Sequence, residues 1–285
     1  MKHDLPTIAG FWYGSDLSWL EALCIQSFLD HGHRFVLYLA DDVKNVPPGV
    51  ETRPASDILW PSPFSFNENE RHRVAVFSDI FRLHLSQKTD YIWVDLDAFC
   101  VRPFDVDTPY VFGQSRRGDF PTGVLRLPKS SETLASMLSF VDSPNPTQPW
   151  RGPTLRRANR RKVANGERWG IEHLPWGCSG PKAFTHFLIK TGESIHTSEP
   201  EIFYPLSPDE LWMLHAPEIR TQQIERSGVL SVHIYGHQKR EMALSMSGLP
   251  SPGSYLDRMC KRHGITPRSN PITRLSWMGP TTNLG

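Results

Sequence analysis

The sequence predicts an α/β protein: a mixed, largely parallel sheet flanked by helices. Three observations predict it. Strand-like and helix-like stretches alternate through the first hundred residues, the pattern of parallel sheets covered by helices. The run Tyr91-Ile92-Trp93-Val94 is apolar without alternation, as in a strand buried on both faces. Tyr13-Gly14, Asp41-Asp42 and Asp95-Leu96-Asp97 each follow an expected strand, and ligands of such sheets sit beyond the carboxyl ends of the strands.

Residues 7–12 read as the first strand, ending at Gly14. A helix is expected over 18–31: Ser18 and Glu21 form a capping box, and Gly32 is a C-terminal stop. Residues 34–40 are a second strand, stopped by Asp41-Asp42. After a turn at 46–49, residues 51–59 carry a short strand, and 60–67 form a loop rich in Pro and Phe. The apolar spacing of Val74, Phe77, Phe81 and Leu85 predicts a helix over 73–85. Its other side carries Ala75, Ser78, Asp79 and Arg82, neighbours at three- and four-residue spacing.

Beyond Asp97, residues 100–104 read as an edge turn, and 110–114 and 123–127 as two short strands around a polar turn at 116–120. Residues 132–141 form a helix capped by Ser130 or Ser131. Prolines 144, 146, 149 and 153 interrupt the pattern from 142 to 176. Within that span lie Arg151, Arg156, Arg157, Arg160, Arg161, Lys162 and Arg168. This segment reads either as a solvated basic surface or as a contact for an anionic lipid, a phosphorylated glycan or another polyanionic acceptor. Gly180-Pro181 opens a helix over 180–188, Pro being well tolerated in a first turn. Strands are expected at 202–206 and 229–235 and a last helix at 254–263. The tail from 266 to 285 shows no periodicity.

At 285 residues the chain buries a sizeable core as one domain, with 39% hydrophobic and 21% charged residues. A net charge of +1 gives no global reason to expect nucleic acid. Four dispersed cysteines have neither disulfide-framework nor zinc spacing. The start of the chain lacks the apolar core of a signal peptide, and no run reaches the length of a spanning helix. The expectation is a cytoplasmic protein, working either in the cytosol or at the inner face of a membrane.

The chemistry concentrates at Asp95 and Asp97. Two carboxylates with no counter-charge repel, and burying them costs several kcal/mol each. A divalent cation such as Mn²⁺ or Mg²⁺ resolves both problems, because hard cations take oxygen ligands. A turn just after Asp95 would bring both carboxylates to one ion. In a flat strand the period of two also puts them on one face. The tripeptide alone is common; the Ser, Asp and Arg helix face leading into it is not. No serine-hydrolase elbow, phosphate-loop, dinucleotide-binding or zinc-protease motif is present.

Ser78-Asp79-Ile80-Phe81-Arg82 followed by Tyr91-Ile92-Trp93-Val94-Asp95-Leu96-Asp97 resembles the sugar-nucleotide block of retaining D-x-D glycosyltransferases. The nearest group holds the clostridial glucosylating toxin catalytic domains, the α-1,4-galactosyltransferases and the yeast mannosyltransferases. Phe11-Trp12-Tyr13-Gly14 is similar to that group's first-strand signature. The match covers residues 8–113 well and the rest at scattered points. It implies a GT-A-like, Rossmann-related fold, with 1–113 as the nucleotide-sugar half. Residues 114–265 then face the acceptor, with an Arg-rich insertion at about 145–176.

The resemblance further implies a UDP-sugar donor, a glycan or glycolipid acceptor, retention of configuration, and Mn²⁺ or Mg²⁺ on Asp95 and Asp97. His233 matches the position of a third ligand, with His237 as its competitor. Asp79 and Arg82 would hold donor-sugar hydroxyls and, with Asp95, form the catalytic set. Ser78, Trp12, Tyr13, Gly14 and Arg73 would line the nucleotide side. From the residues alone, Trp12 is equally a core side chain, and Asp79 with Arg82 equally a plain ion pair. No nucleophile stands out; Glu172 and Asp119 are the candidates. The alternatives are a non-catalytic sugar-nucleotide or glycan-binding protein on the same fold and, more weakly, a metal-dependent phosphohydrolase.

Overall fold

The computed structural model describes residues 4–67 and 70–273. Its elements are β1 (Ile8–Trp12), α1 (Trp19–Asp30), β2 (Phe35–Leu39), β3 (Glu51–Pro54), α2 (Arg71–Lys88), β4 (Ile92–Val94), β5 (Ala98–Cys100) and β6 (Val124–Leu125). They continue with α3 (Glu132–Val141), α4 (Pro153–Ala164), α5 (Pro181–Thr191), α6 (Pro200–Phe203), α7 (Thr221–Ile224), β7 (Ser231–His233), α8 (Gln238–Ser245) and α9 (Tyr255–Arg262). The main sheet has five strands in the order β3-β2-β1-β4-β6, parallel except for β6. This is the largely parallel, helix-flanked α/β fold that the alternation predicts.

Both sheet faces are covered, which explains the unbroken apolar runs. Ala9, Phe11, Val36, Tyr38 and Trp93 pack with α2, α3 and α5 on one face. Ile8, Phe35, Leu37, Ile92 and Val94 turn to the other face, against Ile25 and Phe28 of α1. The period-2 alternation of each strand thus feeds two cores at once. A third cluster packs α1 against α9 and residues 206–234.

The predicted caps form. Ser18 and Glu21 make their capping box, and Gly32 sits just past α1 at φ +86°, a backbone that a Cβ disfavours. Ser131 caps α3 and Pro181 opens α5 as expected, and Ser254, read only as the start of the last helix, caps α9.

Several expectations fail for identifiable reasons. Residues 100–104 are not simply a turn: Ala98–Cys100 pairs antiparallel with Ser231–His233 in a second, two-stranded sheet. Residues 110–114 make only single bridges, Val111 to Arg126 and Gly113 to Ser198. Residues 202–206 are not a strand, because Pro200 starts the short helix α6. The proline-interrupted stretch contains a regular helix, α4, starting at Pro153 as its first-turn proline. It has no buried residue, so it carries no apolar stripe for a periodicity reading to find. Of the expected tail 266–285, residues 274–285 lie outside the described residues. No helix among the described residues is long and apolar enough to cross a membrane.

Candidate metal and donor site

The order β3-β2-β1-β4 places a topological switch between β1 and β4: the chain winds outward from β1 to β3, then returns to add β4 on the other side. In open α/β sheets the crevice at such a switch is where ligands bind. The carboxyl ends there are Trp12-Tyr13-Gly14 and Asp95.

After Asp95 the chain turns; Ala98 N–H donates to Asp95 C=O at 2.9 Å. The turn delivers Asp97 to the start of β5, whose register sets Ala98 opposite His233. Ile234 N–H closes the corner on Asp97 C=O at 2.8 Å. Asp95, Asp97 and His233 therefore converge, one ligand atom from each lying within 4.8 Å of the others. Asp97 Oδ1 is 3.4 Å from His233 Nε2. Asp97 Oδ1 and His233 Nδ1 are buried and make no hydrogen bond, and such unsatisfied groups call for an explanation. Burial pushes the Asp97 carboxyl up, with His233 opposing and Asp95 adding to the rise.

Gly123, at the edge of β6, makes this convergence possible. A Cβ there would lie 2.5 Å from His233 Cε1 and 3.1 Å from Asp95 Oδ2. Only glycine lets the backbone pass so close. Tyr235 takes a left-handed backbone at φ +63° directly beyond β7, with its ring edge-on to His233 at 4.4 Å. Strained residues of this kind concentrate at functional sites.

Asp95 is divided between two tasks. Its Oδ1 accepts from Trp93 Nε1 at 2.9 Å and pairs with Arg82 Nη2 at 3.1 Å. Among the described residues nothing donates to its Oδ2. Arg82 is 5% exposed. It lies over the Trp93 ring at 4.8 Å and donates to Thr122 O, Thr122 Oγ1, Ser78 O and Ser78 Oγ. It also pairs with Asp79 at 3.3 Å. The Asp79–Arg82 pair is thus a buried network and not a plain surface ion pair. Asp79 further accepts from Ser179 Oγ at 2.6 Å, and a Cβ on Gly180 would lie 2.5 Å from its Oδ1. Burial pushes the Asp79 carboxyl up, against the pull of Arg82 and Ser179.

Asp79 and Asp95 thus share one guanidinium, and Asp97 meets only the His233 imidazole. The residual negative charge, the two orphaned polar atoms and the cradle at Gly123 fit a divalent cation. The two carboxylates suit a hard cation such as Mg²⁺ or Mn²⁺, and the imidazole adds a nitrogen ligand more usual for softer transition metals.

The other predicted residues fall into two groups. Trp12 ends β1 with its Nε1 buried and without a hydrogen bond. Gly14 N–H donates to Asp41 Oδ2 at 3.0 Å, joining the ends of β1 and β2. Tyr13 packs on Trp60 and Phe66. Arg73 instead holds the loop before α2, through Ser65 O at 2.8 Å and Glu70 at 3.7 Å. His237 is not in the metal cluster. Glu172 pairs with His173, and Asp119 with Ser115, so neither joins the carboxylates.

Sequence reasoning missed Thr122-Gly123, Ser179-Gly180 and Lys239. Lys239 lies over the Trp12 ring at 5.6 Å and pairs with Glu21, the capping-box acid of α1. Burial draws its ammonium down to about 8; the contact pair with Glu21 opposes this by favouring the charged form. A lysine six residues after the candidate ligand His233 was the only signal available. Two surface grooves, beside α3 and beside residues 106–109, are lined by none of these residues.

No family model matches the chain, and no curated protein does. Among solved structures it is similar to one described as PaToxG glycosyltransferase, at 14% identity and TM-score 0.44, over 67% of this chain and 71% of that one. It is also similar to the apo structure of the bifunctional glycosyltransferase WbbM, at 11% identity and TM-score 0.33, over 82% of this chain. The match spans 46% of the WbbM chain.

Proposed function

We propose that this chain is a metal-dependent glycosyltransferase of GT-A-like fold, moving a sugar from a nucleotide-sugar donor, best a UDP-sugar, to a hydroxyl of a glycan or glycolipid acceptor. The observation that carries the reading is the convergence of Asp95, Asp97 and His233 at the switch crevice, with buried ligand atoms lacking partners.

Asp95, Asp97 and His233 would hold the divalent cation. Once bound, it supplies positive charge to the diphosphate that departs with the nucleotide. Arg82 fixes Asp95 by Oδ1 and leaves Oδ2 to face Gly123, so this ligand needs little reorganisation. Asp79, held by Arg82 and Ser179, orients the donor sugar by accepting from its hydroxyls. Trp12, Tyr13, Gly14 and Ser78 form the nucleotide side, where an aromatic face stacks on a base for about 1–3 kcal/mol. Lys239, over Trp12, adds a cation on that side.

Retention by a covalent intermediate needs a free carboxylate beside the anomeric carbon. Asp79 is engaged by Arg82 and Ser179, and Glu172 and Asp119 have partners elsewhere. This favours front-face attack, with the leaving phosphate accepting the acceptor's proton.

The test is release of nucleoside diphosphate from a panel of UDP- and GDP-sugars with added Mn²⁺. Release that a chelator stops supports the transferase. Donor binding without turnover across a broad acceptor set overturns it in favour of a binding module. Hydrolysis of simple phosphate esters would reveal a phosphohydrolase.

A further inference from the structure

The net charge of +1 conceals a strong asymmetry. Residues 145–176 carry seven cations and two acids, Glu167 and Glu172, a net +5, so the remainder of the chain carries −4. The cations lie on α4 and its flanks. Elsewhere Arg34, Arg53, Arg82, Arg116, Arg117, Arg226 and Arg262 each pair with a carboxylate. Among the described residues, none of the seven cations between 151 and 168 does. Arg168 donates only to the backbone carbonyls of Val163 and Glu167.

The arrangement on α4 is directional. Arg156 and Arg160, and Arg157 and Arg161, are four-residue pairs, and together they cover an arc of about 140° at 3.6 residues per turn. The half-buried side is the opposite one: Leu155 and Asn159, the latter donating to Thr147 Oγ1 at 3.2 Å. Like charges at this spacing repel and destabilise an isolated helix. The helix nonetheless buries no residue that would repay that repulsion.

We infer that the outer face of α4 docks on an anionic lipid bilayer. Four arginines diverging along a helix about 18 Å long suit an extended surface of headgroups. They do not converge on one point, as the donors of a bound phosphate or glycan anion do, and no described groove is lined by them. No nucleic-acid recognition motif accompanies them. The attraction is electrostatic and therefore salt-sensitive. The inference does not depend on the sugar-transfer reading, because binding is read without donor or metal.

The experiment is cosedimentation of the full chain with phosphatidylcholine vesicles containing about 30% phosphatidylserine, and with pure phosphatidylcholine. Binding to the anionic vesicles alone is expected, lost near 0.5 M salt, about three times the physiological level. Each cation near an anionic leaflet strengthens binding about fivefold, so the variant Arg156→Gln/Arg157→Gln/Arg160→Gln/Arg161→Gln should bind about six-hundredfold more weakly. Its melting temperature should be no lower than the parent's, since the like-charge repulsion on α4 is relieved, and its diphosphate release with a soluble acceptor should match the parent. Should this variant not fold, Arg157→Gln/Arg161→Gln, with a loss of about twentyfold, replaces it. Equal binding to neutral vesicles, undiminished binding of the variant, or binding to heparin with none to vesicles would each overturn the inference.

Discussion

Arg82 and Arg157 are the same residue type under opposite conditions. Arg82 is buried on α2, and its guanidinium meets Asp79, Asp95, Ser78, Thr122 and the Trp93 ring. Arg157 is exposed on α4 and, among the described residues, has no carboxylate partner. The difference shows how one net charge serves two purposes. At the sheet's carboxyl edge, positive charge is confined so that negative charge can be gathered around it. On α4, among the described residues, positive charge has no carboxylate partner, and the proposed bilayer docking rests on that. Removing a charge from the first region should therefore disturb the protein itself, and removing one from the second should disturb only an external partner.

The largest expected effect is at Asp97. Asp97→Ala should reduce Mn²⁺-dependent diphosphate release by about a thousandfold, the range seen when one charge-stabilising group is lost from an active site. Its far-UV spectrum should stay unchanged. Full turnover in this variant would refute the metal reading.

Arg82→Ala comes next. It strands Asp79 and Asp95 without their counter-charge, and breaking a buried pair from one side costs about 3–5 kcal/mol. Urea midpoints would show it; a shift no larger than that of a surface arginine would break the contrast drawn above. Gly123→Ala should weaken Mn²⁺ binding about 10–100-fold by displacing His233, the scale of a lost supporting contact around a metal ligand. Titration calorimetry would measure it, and unaltered affinity would remove Gly123 from the site.

Asp97→Asn should raise the melting temperature of the metal-free protein at neutral pH. The folded-state pKa of Asp97 is raised, so the folded state binds more protons than the unfolded one between the ordinary carboxylate pKa and the raised value. Stability is then lost as pH rises through that window and is fully present below it. The advantage of the variant should shrink as pH falls towards the ordinary carboxylate range, and a gap constant with pH would refute the assignment. The smallest effect is Arg157→Ala, expected to change stability by less than about 0.5 kcal/mol, as surface substitutions do.

Much of the sheet was legible because its signals are local. The capping box Ser18/Glu21, the unbroken apolar run 91–94 and the apolar face of 73–85 each need only neighbours within a few residues. Ala98–Cys100 was less legible, being three residues and too short for a period to register, whereas Ser231–His233 falls inside the strand expected at 229–235. Helix α4 escaped for the opposite reason, having no buried side and hence no apolar period to reveal it.

The sequence by itself determined that two carboxylates would close a buried strand, and that a helix bearing Ser78, Asp79 and Arg82 would precede it. Only the tertiary structure decided what surrounds them. The β5–β7 ladder sets His233 against Asp97. Residues 122–123 pass beneath Arg82 and His233, and Ser179-Gly180 closes on Asp79 across a hundred residues of chain. Local propensity cannot encode such contacts, since the loop-closure entropy of bringing distant segments together is repaid by the burial of the whole core and not by the segments themselves.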